Sequence, residues 1–342
     1  MINRRRFLAS TAALLASASM GPSQGWAADS AERRMLFGYP PGALGSELGK
    51  SALALLAANG GPSYQLINVE GRNTRLASER VKVAAPDGLT LLQAQGTTMC
   101  LLPNVYTRQT FDPAQDFAPL ATIGDMTLSL TLGPVVPKTV TTLDQYLDWV
   151  ADNPDLRNIG FSIYGSEGHL ATLMLARAKG VAVRPQPYRG SKMMIDDLLS
   201  QSLAAGFTAA GNGKDVLWSS GRLRSIGVTS AQRLTYWPGV PSLAEQGVKA
   251  LDLSSWYGWF APAATSASIV GPLREKILAM QATPAYADLH KKLLLTQAPL
   301  DPEQIRERIR KDTARYAQLV ATYGPEKATD SDMPVVGESH GR

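Results

Sequence analysis

The stretch Tyr164-Gly165-Ser166-Glu167-Gly168-His169 places a hydroxyl, a carboxylate and an imidazole close together in the chain. Two chemistries could use it: nucleophilic catalysis, or capture of an anion. A nucleophile elbow of the form G-x-S-x-G needs glycine at position 164, where Tyr164 stands. The nearness of His169 in sequence does not make it a base for Ser166, because triad members meet through the fold. Anion capture suits the surroundings better. An apolar run over residues 159–163 precedes the stretch, and apolar residues recur after it at Leu170, Leu173, Met174 and Ala178. That pattern predicts a buried strand, a tight loop and the start of a helix. Such a turn aims unpaired backbone N–H groups and the positive end of a helix dipole at one spot.

A second loop of this kind is expected at Gly42, Ala43, Leu44, Gly45 and Ser46, after a short apolar strand near residues 34–39. It carries no acid–base group except Glu47, and a plain strand-to-helix turn is the alternative reading. Two such loops facing each other could clamp one carboxylate with backbone donors and hydroxyls, which binds without catalysing. Gly49-Lys50-Ser51 looks like the end of a phosphate-binding loop, but its first glycine should stand at position 44, where Leu44 is found. His169, His290 and His340 show no ligand spacing, and a single cysteine, Cys100, excludes a Cys-based zinc site and an internal disulfide. No metal, redox cofactor or catalytic residue is expected. His169 is read as lining or capping its loop. His290, among Asp288, Lys291 and Lys292, is read as a solvated helix residue. Cys100 lies in an apolar segment and is expected to be buried.

The elements that must position these loops alternate. Strands are expected at residues 64–69, 89–94, 121–132, 223–229 and 256–261, with one more between 181 and 187. Helices are expected at 48–58, within 70–83, from Thr142 to about 151, up to Leu199, and at 269–280 and 302–323. Thr142 and Gln145 could form a capping box. Residues 102–119 read as irregular, and the polar tail from 326 as fraying. The opening β-α-β-α-β order implies a parallel sheet covered by helices. The expected class is α/β: two doubly wound lobes of the type II periplasmic-binding-protein kind, with a ligand cleft between them. The lobes are expected at 28–130 plus 255–342, and at 131–254.

Composition agrees with a soluble globular chain of ample core: 342 residues, 44% hydrophobic and 18% charged. Arg4-Arg5-Arg6-Phe7-Leu8, an apolar run to Met20 and a small-residue site at Ala27-Ala28 read as a signal peptide of twin-arginine type, cleaved near Ala27. An ordinary export signal is the alternative, and either way a periplasmic location is expected. Losing its three arginines lowers the formal charge from +5 to +2, so a nucleic-acid partner is not implied.

Several short motifs, in order along residues 35–323, carry a family resemblance. They are Ala85-Pro86-Asp87-Gly88-Leu89-Thr90-Leu91, Phe111-Asp112-Pro113 with Asp116-Phe117-Ala118-Pro119, and Gly165-Ser166 with His169-Leu170-Ala171. Pro187-Tyr188-Arg189-Gly190-Ser191, Ser220-Gly221-Arg222-Leu223-Arg224, the Pro238-Gly239-Val240-Pro241-Ser242 turn and Trp256-Tyr257-Gly258 follow. The chain resembles the Bug family, the extracytoplasmic solute-binding proteins of tripartite tricarboxylate transporters. That resemblance implies a monomeric receptor that closes by a hinge on a small carboxylate and delivers it to the transporter's membrane subunits, or reports it to a sensor. It assigns ligand contacts to Gly42, Ala43, Leu44 and Ser46 on one lobe. On the other it assigns them to Ser162, Tyr164, Gly165, Ser166, Gly168 and His169. Gln95, Thr97, Thr98, Tyr188 and Arg189 are further candidates.

This chain departs from the family pattern in three places. The first loop usually reads P-x-G-G-x-x-D, and here Ala43 and Ser46 replace the second glycine and the acid. Gly71-Arg72-Asn73-Thr74-Arg75 brings two cations to a loop that is otherwise Gly-rich. Gln201-Ser202-Leu203-Ala204 lacks the acid of the family's G-Q-V-D segment. The alternatives left open are an exported enzyme and a binding fold in which a partner protein replaces the solute.

Overall fold

The computed structural model describes residues 32–212, 220–324 and 327–329. The expected signal segment and most of the tail from 326 to 342 lie outside the described residues. The chain opens with strand β1 (Arg34–Phe37), helix α1 (Leu44–Ala58), β2 (Gln65–Asn68), α2 (Arg75–Lys82) and β3 (Thr90–Gln95). β1 pairs in parallel with both β2 and β3, as the alternating pattern requires. A π-helical turn at Thr97–Leu101 and the short α3 (Leu102–Val105) follow, the second within the span expected to be irregular. The π-helical turn is wholly buried, and α3 buries Leu102 and Val105, which explains the apolar run around Cys100.

The long strand β4 (Phe117–Leu132) joins two sheets. At about 3.3 Å per residue its sixteen residues reach roughly 50 Å. Its first part pairs antiparallel with β9 (Ser254–Pro262), which also pairs antiparallel with β3, completing a first sheet ordered β2-β1-β3-β9-β4. The remainder of β4 belongs to the second sheet. That sheet is built from α4 (Leu143–Asp152), β5 (Asn158–Ser162), α5 (Glu167–Lys179), β6 (Arg184–Tyr188), α6 (Ser191–Leu199), β7 (Ala205–Ala209) and β8 (Arg224–Val228). β5 pairs in parallel with β6 and β7, while β7 and β8 flank the end of β4 antiparallel. Each sheet is therefore a parallel βα unit closed by antiparallel strands from the connection, a mixed arrangement where a parallel sheet was expected.

The chain ends with α7 (Ala267–Gln281), α8 (Pro284–Leu293) and α9 (Pro302–Tyr323), one helix more than the sequence pattern gives. Thr142 and Gln145 do form a capping box, and Asp301 with Gln304 forms a second one at α9. The tail is not wholly frayed. Ala328 pairs with Tyr106, the Ala328 N–H reaching the Val105 carbonyl at 3.0 Å.

The core is continuous through both sheets, with Trp256 and Trp259 of β9 fully buried at its centre. Each indole N–H has an acceptor: Asp312 at 2.9 Å for Trp256, and the Gln93 side chain at 3.1 Å for Trp259. His290 is a correction to the sequence reading. It is fully buried, its ring nitrogens lying 2.9 Å from the Tyr286 carbonyl and 3.0 Å from that of Ile123. It stands on a helix, α8, as expected, but packs against Gly124 of β4 instead of facing solvent. Cys100 is buried, as expected.

Candidate functional site

Two helix starts meet at one cavity where the sheets face each other. From the first sheet come Tyr39, Ala43 and Leu44, in the turn from β1 into α1, with Gln95 at the end of β3 and Thr97 just past it. Tyr257 of β9 and Met126 and Leu128 of β4 form its floor. From the second sheet come Ser162, Ser166, Glu167 and Gly168, with Ser191 at the start of α6 and Phe207 and Ala209 of β7. The cavity volume is about 40 Å³, the space of a few water-sized groups.

The local sequence explains this convergence. Gly165 has φ +76°, a conformation that turns the chain between β5 and α5 at no side-chain cost. Gly168 sits in the first turn of α5 with its missing Cβ only 2.8 Å from the Phe161 side chain, so the helix can lie directly on β5. Gly168 lines the cavity, and intrahelical bonding leaves the N–H groups of this first turn without acceptors, apart from that of Glu167, which bonds its own carboxylate. Ser166 stands at the N-cap, but its hydroxyl makes no cap bond. Its Oγ is buried and has no protein partner. An unsatisfied hydroxyl at a helix N-terminus, facing a cavity, is a donor waiting for an acceptor.

The opposing turn has a similar form. Ala43 is the N-cap of α1, and Leu44 and Gly45 begin the helix. Ser46 turns away from the cavity, donating to the Pro40 carbonyl at 3.2 Å and accepting from Asn68 at 2.8 Å, and so holds the turn in shape. Gln95 Nε2 and the Tyr257 hydroxyl both point at Met126 Sδ, each at 3.3 Å. A thioether is a weak acceptor, so these donors have capacity for a better one.

Of the residues expected to contact ligand, the structure brings Ala43, Leu44, Gln95, Thr97, Ser162, Ser166 and Gly168 to the cavity. It sets Gly42, Ser46, Thr98, Tyr164, Gly165, His169, Tyr188 and Arg189 outside its lining. His169 is buried, stacked 4.5 Å from Phe161, and its Nδ1 accepts from the Gly165 N–H at 3.2 Å. Burial lowers its pKa to about 4, so the imidazole is neutral and fixes the loop. The Tyr164 carbonyl accepts from Asn73 at 2.7 Å, a link between the loops of the two sheets. Thr98 bonds Thr74 at 2.7 Å, and Tyr188 donates to Asp197 at 2.8 Å.

Sequence reading missed Tyr39, Met126, Tyr257 and, above all, Glu167. Glu167 is buried at the first position of α5. Its carboxylate accepts from Thr97 Oγ1 at 2.6 Å and from the Tyr316 hydroxyl at 3.1 Å. Burial raises its pKa above the ordinary carboxylate range, while those hydroxyls, Ser255 and its own N–H pull the other way. Burial also raises the Tyr39 and Tyr257 phenols, so both are neutral.

The sequence pattern of the tripartite tricarboxylate transporter family receptor, TctC, matches residues 66–324. The chain belongs to this family. Protein BugT of Bordetella pertussis is 26% identical over 298 residues, covering 85% of this chain and 89% of its own. An R. palustris protein solved with adipate superposes with a TM-score of 0.80 at 24% identity, covering 86% of this chain and 97% of its own. MatC from Rhodopseudomonas palustris, solved with bound malate, superposes at 0.74 and 21%, covering 84% and 98%. The Bug resemblance and the α/β periplasmic-binding-protein fold are thus both supported, the first by the sequence match and the second by the superpositions. Among the described residues of this family member, no helix is long and apolar enough to cross a membrane. Nor, among them, does any group of three His, Cys, Asp or Glu side chains stand where it could hold a metal ion.

Proposed function

We propose that this family member is a periplasmic solute-binding receptor that captures a small organic carboxylate and delivers it to the membrane subunits of a tripartite tricarboxylate-type transporter. The observation that carries the reading is the buried, unpartnered Ser166 hydroxyl beside the open N–H groups of α5, facing the α1 turn across the cavity. Hydroxyl and backbone donors at a helix N-terminus suit a carboxylate. The adipate and malate held by its structural relatives support the same class.

Export by a twin-arginine signal cleaved near Ala27, and action as a monomer without cofactor or catalysis, belong to this proposal. So does a division into lobes at 28–130 plus 255–342 and at 131–254, with β4 and β9 as the connections. A cavity of about 40 Å³ is far below the usual size of a ligand pocket, so the two walls must part about these strands to admit a solute.

A thermal-shift panel of mono-, di- and tricarboxylates tests the reading. An acid present at 100 times its dissociation constant adds about 2.7 kcal/mol, a visible rise in the melting midpoint. A panel that stays flat, with protein refolded to strip carried-over solute, overturns it.

A further inference from the structure

The wall of the cavity carries a buried acid that a carboxylate receptor has no evident use for. Glu167 lies between Ser166 and Gly168 and is only 2% exposed. Its hydrogen-bond partners, Thr97 and Tyr316, are neutral hydroxyls. The other titratable groups acting on its surroundings are Tyr39, Tyr257, Tyr316 and Cys100, all held neutral by burial, and Asp312, another acid, with Arg308, a cation engaged by Asp125 at 2.8 Å and Asp312 at 3.5 Å. His169 is neutral and turned to Gly165. Among the described residues that line the cavity there is no Lys, Arg or His.

A ligand carboxylate held at Ser166 and the α5 N–H groups would therefore sit beside Glu167 with no protein cation between them. With Glu167 ionised, two like charges in a desolvated space disfavour each other strongly. A plain dicarboxylate makes this worse. A ligand that carries its own ammonium group resolves it, because the cation can lie between its own carboxylate and that of Glu167. Oxygen acceptors further along such a ligand could replace Met126 Sδ as the partner of Gln95 and Tyr257.

We propose that Glu167 is a specificity-determining residue that selects amino-carboxylate zwitterions over plain dicarboxylates of the same skeleton. The proposal rests on the carboxylate-binding reading of the same cavity and names its substrate class.

Calorimetric titration with matched pairs, aspartate against succinate and glutamate against glutarate, tests it at pH 7.5 on the wild-type protein and on Glu167→Gln. The expected result is that at least one amino acid binds the wild type roughly tenfold or more tightly than its deaminated partner, and that the variant loses this preference. Equal affinities within both pairs for the wild type, or a preference that survives in Glu167→Gln, overturn the proposal. The wild-type pairs decide even if the variant fails to fold. Dicarboxylates that win, with affinity rising about tenfold for each unit fall in pH, also overturn it, since Glu167 is then neutralised by a proton. Dicarboxylate binding without selectivity leaves the carboxylate reading intact. Absence of binding by every acid of the wider panel overturns both.

Discussion

The hydroxyl of Thr97, just past β3, donates to the carboxylate of Glu167, the first residue of α5, across 2.6 Å. Both groups are buried, and the bond ties the first sheet to the second at the cavity. It is charge-assisted when Glu167 is ionised, and losing it leaves a buried carboxylate short of a donor. Thr97→Val is expected to cost about 1–3 kcal/mol at pH 7.5 in urea unfolding. In a Glu167→Gln background the same substitution should cost clearly less, which a double-mutant cycle measures. Glu167 itself adds a pH dependence of known sign. Its folded pKa is raised, so its contribution is full below the ordinary glutamate value and is lost as the pH rises through the folded one.

Ser166 separates function from stability. Because its Oγ is buried without a partner and makes no cap bond, Ser166→Ala removes a desolvated polar group and no hydrogen bond. The melting midpoint should stay level or rise, within about 1 kcal/mol, while carboxylate affinity falls roughly tenfold. Chemical denaturation and calorimetry on one preparation check both. A loss of stability equal to that of a removed N-cap would mean that the hydroxyl has a structural partner.

How much of this was legible depended on whether the signal was local. The turn from β5 into α5 was readable because an apolar run ends at Tyr164-Gly165 and helical spacing resumes at Leu170. The capping box at Thr142 and Gln145 is contained in four residues and needs no fold to recognise. β7 escaped notice because Ala205-Gly206-Phe207-Thr208-Ala209 has few branched side chains, and its strand character comes from pairing with β4 and β5. The burial of His290 on α8 was missed for a similar reason. Charged neighbours suggest solvent, whereas the two carbonyls that hold the ring come partly from β4, more than 150 residues away. In the site, Ser166 and Gly168 could be chosen from the loop alone. Tyr257 and Met126 could not, since only the antiparallel pairing of β4 with β9 brings them under it. Glu167 was in plain view, but nothing in the sequence distinguishes a buried acid at a helix start from a solvated one favoured by the dipole.

His169 predicts acid sensitivity. Its pKa is lowered to about 4 by burial, so the unfolded chain takes up its proton at a higher pH than the folded protein does. The resulting stability is complete above the ordinary histidine value and is lost as the pH falls towards 4, by up to about 3 kcal/mol. His169→Phe keeps a ring against Phe161 but removes the acceptor for the Gly165 N–H, so it should be less stable than wild type at pH 7.5. Its stability should then fall less steeply between pH 6.5 and 4, narrowing the gap. His290 is shifted in the same direction in both proteins and cancels from the difference. Parallel pH profiles would assign the acid sensitivity to groups other than His169.

Arg308 of α9 grips Asp125 of β4 with two hydrogen bonds, at 2.8 and 3.0 Å, and lies 5.3 Å from the Trp256 ring centroid. The pair stands where β4 leaves the first sheet, next to the Asp125–Thr296 bridge that fastens the segment after α8. Burial raises the Asp125 pKa and the guanidinium opposes that rise. Arg308→Met removes the opposition and leaves a largely desolvated carboxylate on a strand of the proposed hinge. The two side chains keep some exposure, 19% and 25%, so the cost at pH 7.5 should be about 2 kcal/mol rather than that of a fully buried pair. Asp125 then takes up a proton more readily when folded, so the penalty should shrink as the pH falls towards the ordinary aspartate value. Asp125→Asn added to Arg308→Met should recover the Asp125 share of it at pH 7.5, leaving Asp312, which also loses Arg308 at 3.5 Å but keeps its bond from the Trp256 indole. Unfolding curves of the two variants at pH 7.5 and 4.5 measure each of these differences. A pH-independent penalty that the second substitution fails to relieve would assign the loss to the contacts of Arg308 with Trp256 and Asp312 instead of to the pair with Asp125.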